Sequence, residues 1–171
     1  MKTLKTFFYF FLGCLLVGLT SCNNDDDTAG NSVNAGQAMV NANITGALSK
    51  NFRSETTTST CVNMQGYVMI VGNKVESGTT VSSFQISLPE GIAVGTFTPS
   101  QLEDLVFPGT LVYVDASNPS LGFVAGAEEN NNFTLKITKS GGGKLEGTFE
   151  GQMINIKDQI INVNGDFKAA Y

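Results

Sequence analysis

Acid–base chemistry in this sequence would have to come from carboxylates, because its 171 residues include 15 acidic side chains and no histidine. A glycoside hydrolase needs two carboxyl groups about 5–10 Å apart, one to protonate the leaving group and one to attack or to activate water. Neighbouring acids that could form such a pair are Glu103 with Asp104, Glu128 with Glu129, and Glu146 with Glu150. The first pair belongs to a predicted helix start, the second to a polar loop and the third to the solvent-exposed face of a strand. We therefore interpret all three as solvated charge and assign no catalytic residue.

The sequence shows no pattern of metal ligands or of phosphate-binding glycines. Hard cations bind oxygen ligands, which Asp115, Glu128, Glu129 and Asn130 could supply, but their spacing is not that of a calcium loop. The three glycines at 141–143 precede a strand rather than a helix, so we interpret them as a hairpin loop. We therefore predict neither a metal nor a cofactor.

The three cysteines do not form a disulfide framework. Cys14 and Cys22 belong to the N-terminal segment, which leaves Cys61 as a lone thiol. A nucleophilic cysteine needs an activating base or an electropositive site, and the chain has no histidine to serve as that base. We therefore predict that Cys61 is a small buried apolar residue.

The N-terminal segment has the order of a secretory signal. Lys2 and Lys5 are followed by an apolar run from Phe7 to Leu19 and then by the small residues Thr20 and Ser21. The run is much shorter than the roughly 20 residues with which a helix crosses a bilayer. It is therefore interpreted as a signal core rather than a membrane span.

The four residues 19–22, Leu-Thr-Ser-Cys, resemble the lipobox of bacterial lipoproteins. The resemblance implies that residues 1–21 are removed and that Cys22 becomes the lipid-bearing first residue, which places the protein on a membrane. The alternative is an ordinary cleaved signal with a chance cysteine.

Residues 23–28 carry two further resemblances. Asp25, Asp26 and Asp27 resemble the acidic stretch behind the lipidated cysteine of surface-exported lipoproteins in Bacteroidota, which implies an outer-membrane protein exposed to the exterior. The alternative is a merely soluble charge run on a protein that faces the periplasm. Asp27-Thr28-Ala29 resembles the sequence that the same bacteria O-glycosylate, which implies a glycan on Thr28.

Residues 22–37 are predicted to be a flexible tether and residues 38–171 a single folded domain. In the tether Val33 is the only sizeable apolar side chain, so the segment cannot bury enough apolar surface to fold. Removal of Lys2 and Lys5 with the signal leaves 15 acidic and 8 basic residues, a net charge of −7. Such a charge repels phosphates, so nucleic acid is not expected as a partner.

From residue 38 onward the apolar residues recur with the period of two that is typical of strands. About eight to ten short strands and one helix near residues 100–106 predict an all-β domain, either an antiparallel β-sandwich or a flattened barrel. In detail, we predict an edge strand over 52–60, a turn at Gly72-Asn73, and a bulge at Gly151 to explain an apparent slip of phase.

The C-terminal third contains Gly147-Thr148-Phe149 and the run Ile161–Phe167, which ends in Gly165-Asp166-Phe167; Gly95-Thr96-Phe97 stands earlier. This pattern resembles a recurrent ending of uncharacterised lipoproteins of Bacteroidota. The resemblance implies an all-β fold and a membrane address, and it implies no activity.

Taken together, the sequence predicts a membrane-anchored, non-catalytic domain that binds a glycan, a peptide or a partner protein. Its long loops, predicted at 72–79, 91–108 and 128–132, would carry the binding surface. The alternatives are a carboxylate-based hydrolase such as a glycosidase and an accessory subunit of an outer-membrane assembly.

Lipid attachment predicts that the mature chain begins at an acylated Cys22. Each buried methylene of the acyl chains contributes about 0.8 kcal/mol, so several chains should hold the protein in the membrane fraction almost permanently. Mass spectrometry of the mature N-terminus checks the modification, and Cys22→Ser should release the protein into the soluble fraction. An unmodified Cys22, or a chain that begins elsewhere, would contradict the prediction.

Overall fold

The computed structural model describes residues 33–103, 110–117, 122–126 and 132–171, and these belong to a compact unit that spans Ser32–Tyr171. The predictions for the N-terminal segment lie outside the described residues; they concern Cys22, Asp25, Asp26, Asp27 and Thr28.

The described residues form eleven strands and one short helix. The helix is α1 (Pro99–Glu103). The strands are β1 (Ala38–Gly46), β2 (Lys50–Arg53), β3 (Thr60–Met64), β4 (Tyr67–Glu76), β5 (Thr79–Pro89), β6 (Gly95–Phe97), β7 (Thr110–Asp115), β8 (Phe123–Gly126), β9 (Phe133–Gly141), β10 (Lys144–Ile154) and β11 (Ile160–Ala170).

All eleven strands belong to one antiparallel sheet, which curls into a half-barrel. Its main order is β2-β1-β11-β10-β8-β7-β5-β4-β3, and β9 also pairs with β10 and carries β6 on its other side. The all-β prediction is confirmed. No helix among the described residues is long and apolar enough to cross a membrane.

The core lies on the inner, concave face of the sheet. Because side chains alternate between the two faces of a strand, every second residue points inward and is buried. In β10 the inward residues are Leu145, Gly147, Phe149, Gly151 and Met153, and their neighbours face outward. The largest inward side chains, all with almost no exposed surface, are Tyr113, Phe84, Phe149, Phe167, Ile44, Ile70, Ile86 and Leu88.

Two glycine–phenylalanine pairs let β10 and β11 curl tightly around this core. Gly147 lies opposite Phe167, and Phe149 lies opposite Gly165. A Cβ atom on Gly165 would stand 2.5 Å from the Phe149 ring, and one on Gly147 would stand 2.9 Å from the Phe167 ring. Each ring therefore fills the space that a side chain on the facing residue would need.

The chain enters the half-barrel at one end, which we call the proximal end. There the Gly36 N–H donates to the Ala170 carbonyl (2.8 Å), and the Cys61 N–H donates to the Gly36 carbonyl (3.0 Å). β1 then runs along the sheet to Gly46, which pairs with Ile161. At about 3.4 Å per residue, the nine-residue β1 spans roughly 27 Å. The far end, where β1 meets the β10–β11 hairpin, is called the distal end.

The turn predicted at Gly72-Asn73 is wrong, because β4 continues through both residues to Glu76. Gly72 is an inward residue that lies against β1, since a Cβ atom there would stand 2.8 Å from the Cβ of Val40. The turn falls instead at Ser77-Gly78, where both residues have positive φ angles (52° and 78°) as a two-residue type I′ hairpin requires.

Two further predictions about the strands need correction. The bulge expected at Gly151 is absent from the pairing of β10 with β9 and β11; the irregularity lies between Glu146 and Gly147, on the β9 side. No phase slip occurs, because Met153 and the buried polar Asn155 continue the inward series. The edge strand predicted over 52–60 is also wrong, because that stretch holds the end of β2, a turn and the first residue of β3.

The helix prediction is confirmed over Pro99–Glu103, and its remaining residues lie outside the described ranges. Thr98 is the cap, and its N–H donates to Gln101 Oε1 (2.9 Å), which is one half of a capping box. Leu102 is completely buried and adds to the core.

Gly72 provides a direct test of how closely β4 and β1 pack. In Gly72→Ala the new methyl group would meet Val40 and Ser54, so we expect the free energy of unfolding to fall by about 1–3 kcal/mol. Denaturant titration measures this change. Gly95→Ala is the matched control: its Cβ would find the Phe97 ring at an ordinary 3.6 Å, and stability should change little. Equal effects of the two substitutions would contradict the close packing.

Candidate functional site

An ion pair on the inner face joins two distant strands at the distal end. The ammonium group of Lys50, the first residue of β2, donates to the carboxylate of Asp115, the last residue of β7. Four strands separate β2 from β7 in the sheet order, so the contact spans the concave side. Asp115 is buried, whereas about half of the Lys50 side chain is exposed.

Three more groups donate to the same carboxylate, and one of them is the Ser117 hydroxyl, which donates to Asp115 Oδ1. The Ser117 N–H donates to Asp115 Oδ1 (3.0 Å), and the Tyr113 hydroxyl donates to Asp115 Oδ2 over a longer 3.4 Å. Together with Lys50, these donors satisfy both oxygens of a carboxylate that would otherwise be costly to bury.

These contacts determine the protonation of the site. Burial alone would raise the pKa of Asp115, but the hydrogen bonds from Lys50 and Ser117 and the charge of Lys50 outweigh it and hold this pKa below its ordinary value. Burial and the Asp115 charge raise the pKa of Tyr113 to about 12. At neutral pH, Asp115 is therefore a paired carboxylate and Tyr113 a neutral hydrogen-bond donor.

Aromatic rings fill the inner face next to this ion pair. The Phe52 ring lies 6.0 Å from that of Tyr113 and 5.9 Å from that of Phe84, and Phe84 lies 4.9 Å from Phe149, measured between ring centroids. The four rings come from β2, β5, β7 and β10 and are almost fully buried. The pair thus lies beside a packed core, and we interpret it as a clamp between β2 and β7 rather than as a reaction centre.

The outer face near the distal end carries a row of apolar side chains across four neighbouring strands. In this row Val112 of β7 lies opposite Val124 of β8, Val124 opposite Ile154 of β10, and Ile154 opposite Ile160 of β11. The first three are half-buried, whereas Ile160 is 44% exposed and nearby Ile156 is 65% exposed. We call these residues, Val112, Val124, Ile154, Ile156 and Ile160, the distal apolar patch.

The turn that presents Ile156 is held by the side chain of Asn155. Its Oδ1 accepts from the N–H groups of Lys157 (2.9 Å) and Gln159 (3.0 Å), and its Nδ2 donates to Gln159 Oε1 (2.9 Å). The Asp158 N–H donates to the Asn155 carbonyl, and Asp158 takes a positive φ of 59°. This is a three-residue hairpin loop with a left-handed last residue. Asn155 is buried, so the loop has a fixed shape from which Ile156 projects.

Of the three acid pairs considered from the sequence, the structure describes the side chains of one, Glu146 with Glu150, and gives them separate partners. Glu146 and Glu150 lie on the outer face of β10 with different partners: Lys139 for Glu146 (3.0 Å) and Asn164 for Glu150 (3.4 Å). Asp115 is bound to Lys50. The remaining candidates, or their side chains, lie outside the described part of the structure: Glu103, Asp104, Glu128, Glu129 and Asn130.

Within the described ranges, no three His, Cys, Asp or Glu residues come together as a metal site would require. Cys61 is buried on the inner face, and burial raises its pKa to about 12. The thiol is therefore protonated at neutral pH, and the prediction that Cys61 is a buried apolar residue is confirmed.

The sequence did not predict the Lys50–Asp115 ion pair or the distal apolar patch. Lys50 and Asp115 are 65 residues apart and carry no local signal of their contact. Ile154 and Ile156 did give a signal, since their spacing produced the apparent slip of phase that a bulge at Gly151 was predicted to explain. Asn155 between them, followed by Lys157-Asp158, was the indication that the inward position goes to the polar residue.

Comparisons with protein family models, with curated proteins and with solved structures gave no match.

The Lys50–Asp115 pair predicts a stability change that depends on pH. Lys50→Met leaves a buried carboxylate with fewer donors, so the free energy of unfolding at pH 7 should fall by about 1–3 kcal/mol. Because the pKa of Asp115 is depressed in the folded protein, the contribution of the pair is complete above about pH 4 and disappears as the pH falls further.

Chemical denaturation between pH 7 and pH 2.5 measures this difference. Lys74→Met is the control, because the Lys74–Glu76 pair is exposed on both sides and should contribute little at any pH. A loss in Lys50→Met that stayed constant down to pH 2.5 would contradict the assignment to Asp115.

Proposed function

We propose that this chain is a lipoprotein held in the outer membrane through Cys22, whose β-domain binds a partner protein at the distal apolar patch and does not catalyse a reaction. The membrane part of the proposal rests on the lipobox-like residues 19–22 and on the polar tether that follows them. The acidic residues Asp25–Asp27 favour exposure on the cell surface.

The observation that carries the binding proposal is the exposure of Ile156 and Ile160 on a turn of fixed shape. Scattered exposed apolar residues are ordinary, but here Ile160 continues a row of apolar neighbours across four strands. Asn155 fixes the turn before any partner arrives, so little conformational freedom would be lost on binding. Rigid apolar anchors of this kind contribute most of the affinity in protein interfaces.

The chemistry of the patch favours a protein over a glycan. Sugars are bound by exposed aromatic rings, on which their apolar faces stack. The distal apolar patch is made of branched aliphatic side chains, which suit an apolar pocket on another protein. Its position also fits, because the tether joins the domain at the proximal end, roughly 27 Å away by the length of β1.

The absence of catalysis is supported by how the ionisable groups are used. The depressed pKa of Asp115 and the raised pKa of Tyr113 keep both from exchanging protons near neutral pH. Glu146 and Glu150 point to solvent from one strand and have separate partners.

Site-specific photo-crosslinking in intact cells tests the binding proposal. A crosslinking amino acid in place of Ile156 should give a discrete adduct with one protein, because this side chain would enter the partner's pocket. The same amino acid at Thr148, which is exposed on the outer face of β10 away from the hairpin, is the control and should give none. Adding Ile160→Lys should abolish the adduct at position 156.

Three results would contradict the proposal: equal adducts at positions 148 and 156, no adduct at either, or an adduct at 156 that survives Ile160→Lys. Turnover of a glycoside or an ester by the purified domain would contradict its non-catalytic part.

A further inference from the structure

The loops at the proximal end are linked to one another by hydrogen bonds. Five segments take part: the turn before β1, the β3–β4 hairpin, the loop between β5 and β6, the β9–β10 hairpin and the residues at the end of β11. The contacts run from the Gly36 N–H to the Ala170 carbonyl (2.8 Å), from the Tyr171 N–H to the Gly143 carbonyl (2.8 Å), from the Ser140 hydroxyl to the Ile92 carbonyl (2.5 Å), from the Glu90 N–H to the Gly66 carbonyl (3.1 Å), and from the Cys61 N–H back to the Gly36 carbonyl (3.0 Å). Because these contacts close into a ring, the five segments share one end of the half-barrel and hold one another in place.

Apolar side chains project from this ring into solvent. Val94, in the loop between β5 and β6, is 61% exposed, and Met64, at the end of β3, is 39% exposed. Val62 (38%) stands two residues before Met64 and therefore on the same face of the strand. Within the described ranges, the other exposed large apolar residues are Ile156 and Ile160 of the distal end. The exposed apolar residues are thus divided between the two ends of the half-barrel.

The part of the chain that precedes the described residues joins the domain at the proximal end. Val33, the first described residue, stands three positions before Gly36 of the ring. The eleven residues 22–32 come before it. Even when fully extended, a segment of that length spans only about 40 Å, at about 3.6 Å per residue. A lipid anchor at Cys22 would therefore keep Val94 and Met64 close to the membrane, which favours contacts too weak to form in free solution.

Repulsion from lipid phosphates is not concentrated at this end. The charged side chains described on or next to the ring are nearly balanced, with three lysines and two glutamates: Lys139, Lys144, Lys168, Glu90 and Glu146. Lys139 pairs with Glu146 (3.0 Å), and Glu90 accepts a hydrogen bond from Asn63 Nδ2 (2.9 Å). The acidic excess of the mature chain, a net charge of −7, therefore lies outside this group of side chains.

We propose that the proximal end rests on the surface of a phospholipid bilayer, with Met64 and Val94 inserted between the headgroups. A fluid surface fits these side chains because they project singly from separate loops, and lipid needs no pocket matched to their shape. A protein partner would instead require a contiguous patch, such as the row at the distal end. This inference rests on the proposed anchor at Cys22, which supplies the membrane, and it makes no use of the distal apolar patch.

The contact gives the anchored domain a preferred orientation. Three aliphatic side chains bind lipid weakly by themselves, since even a whole myristoyl chain binds only marginally. The contact therefore forms in the anchored chain and not in a free one. With the proximal end on the membrane, β1 carries the distal apolar patch up to roughly 27 Å away from the lipid, where a partner protein can reach it.

Fluorescence of a single tryptophan in the purified lipoprotein tests this inference, because the chain itself contains no tryptophan. Val94→Trp is compared in vesicles of phosphatidylcholine with and without bromine atoms high on the acyl chains, which quench only a nearby indole. We expect the brominated lipid to reduce the emission by about half or more, since an inserted indole lies at the level of the headgroups. Ile156→Trp is the matched control, because Ile156 is similarly exposed (65%) at the distal end, and its emission should not change.

A second pair of variants identifies the contact. In the Val94→Trp chain, Met64→Asp places a charge in the contact with lipid and should restore about half or more of the lost emission. Ile160→Asp adds the same charge at a similarly exposed residue of the distal end (44%) and should restore none. Both substitutions fall on exposed positions, and circular dichroism checks that each chain keeps its fold.

A second way of attaching the chain separates the contact from the anchor. If Cys22 proves unmodified in cells, its thiol is coupled to a maleimide lipid in the same vesicles, while the buried Cys61 does not react. Quenching at position 94 in the coupled chain would then support the contact although the proposed lipidation had failed. An anchored chain in which position 94 is quenched no more than position 156 would overturn the inference and leave the anchor standing. Quenching that Met64→Asp does not reduce would overturn it as well.

Discussion

A sheet that curls onto itself has little room inside, and this limit decides which residues can face one another across β10 and β11. The Phe149 ring needs the space over Gly165, and the Phe167 ring needs the space over Gly147. Because the two pairs are reciprocal, neither strand can shift by one residue without placing a ring against a backbone. The register of the sheet, and with it the position of the distal hairpin, depends on these two contacts.

Local features of the fold differ in how far the sequence could predict them. The alternation of Phe133, Leu135 and Ile137 was sufficient to predict the strand β9. The lack of a histidine base was sufficient to predict that Cys61 is a buried residue. Gly72 was misjudged because a glycine in a turn and a glycine against another strand look alike until Val40 is known to lie beside it. The bulge at Gly151 was predicted wrongly because apolar spacing near a turn does not show whether Asn155 will be the buried residue.

Contacts between residues far apart in the chain could not be predicted from the sequence, for a more general reason. Nothing near Lys50 or Asp115 distinguishes them from solvated charges, and their pairing follows only from the sheet order that places β2 across from β7. The reciprocal glycine–phenylalanine pairs were predictable only in part. The two Gly-x-Phe motifs were visible in the sequence, whereas the antiparallel register that makes each glycine face a ring was not.

The distal end thus combines a fixed interior with an apolar exterior. Inside, the Lys50–Asp115 pair joins β2 to β7, and aromatic rings pack beside it. Outside, the buried Asn155 holds a hairpin whose isoleucines remain exposed. Both arrangements favour a surface of constant shape.

The course of β1 has a mechanical consequence. This strand begins near Gly36 and ends beside the hairpin that carries Ile156, so tension applied between Gly36 and that hairpin would run along its axis. The hydrogen bonds to β11 lie across this direction and couple nine residue pairs, which must share the load and yield together. Had the chain entered at the other end, the same tension would open the ladder one pair at a time. The β1–β11 ladder is therefore built to resist shear rather than to unzip under such a load.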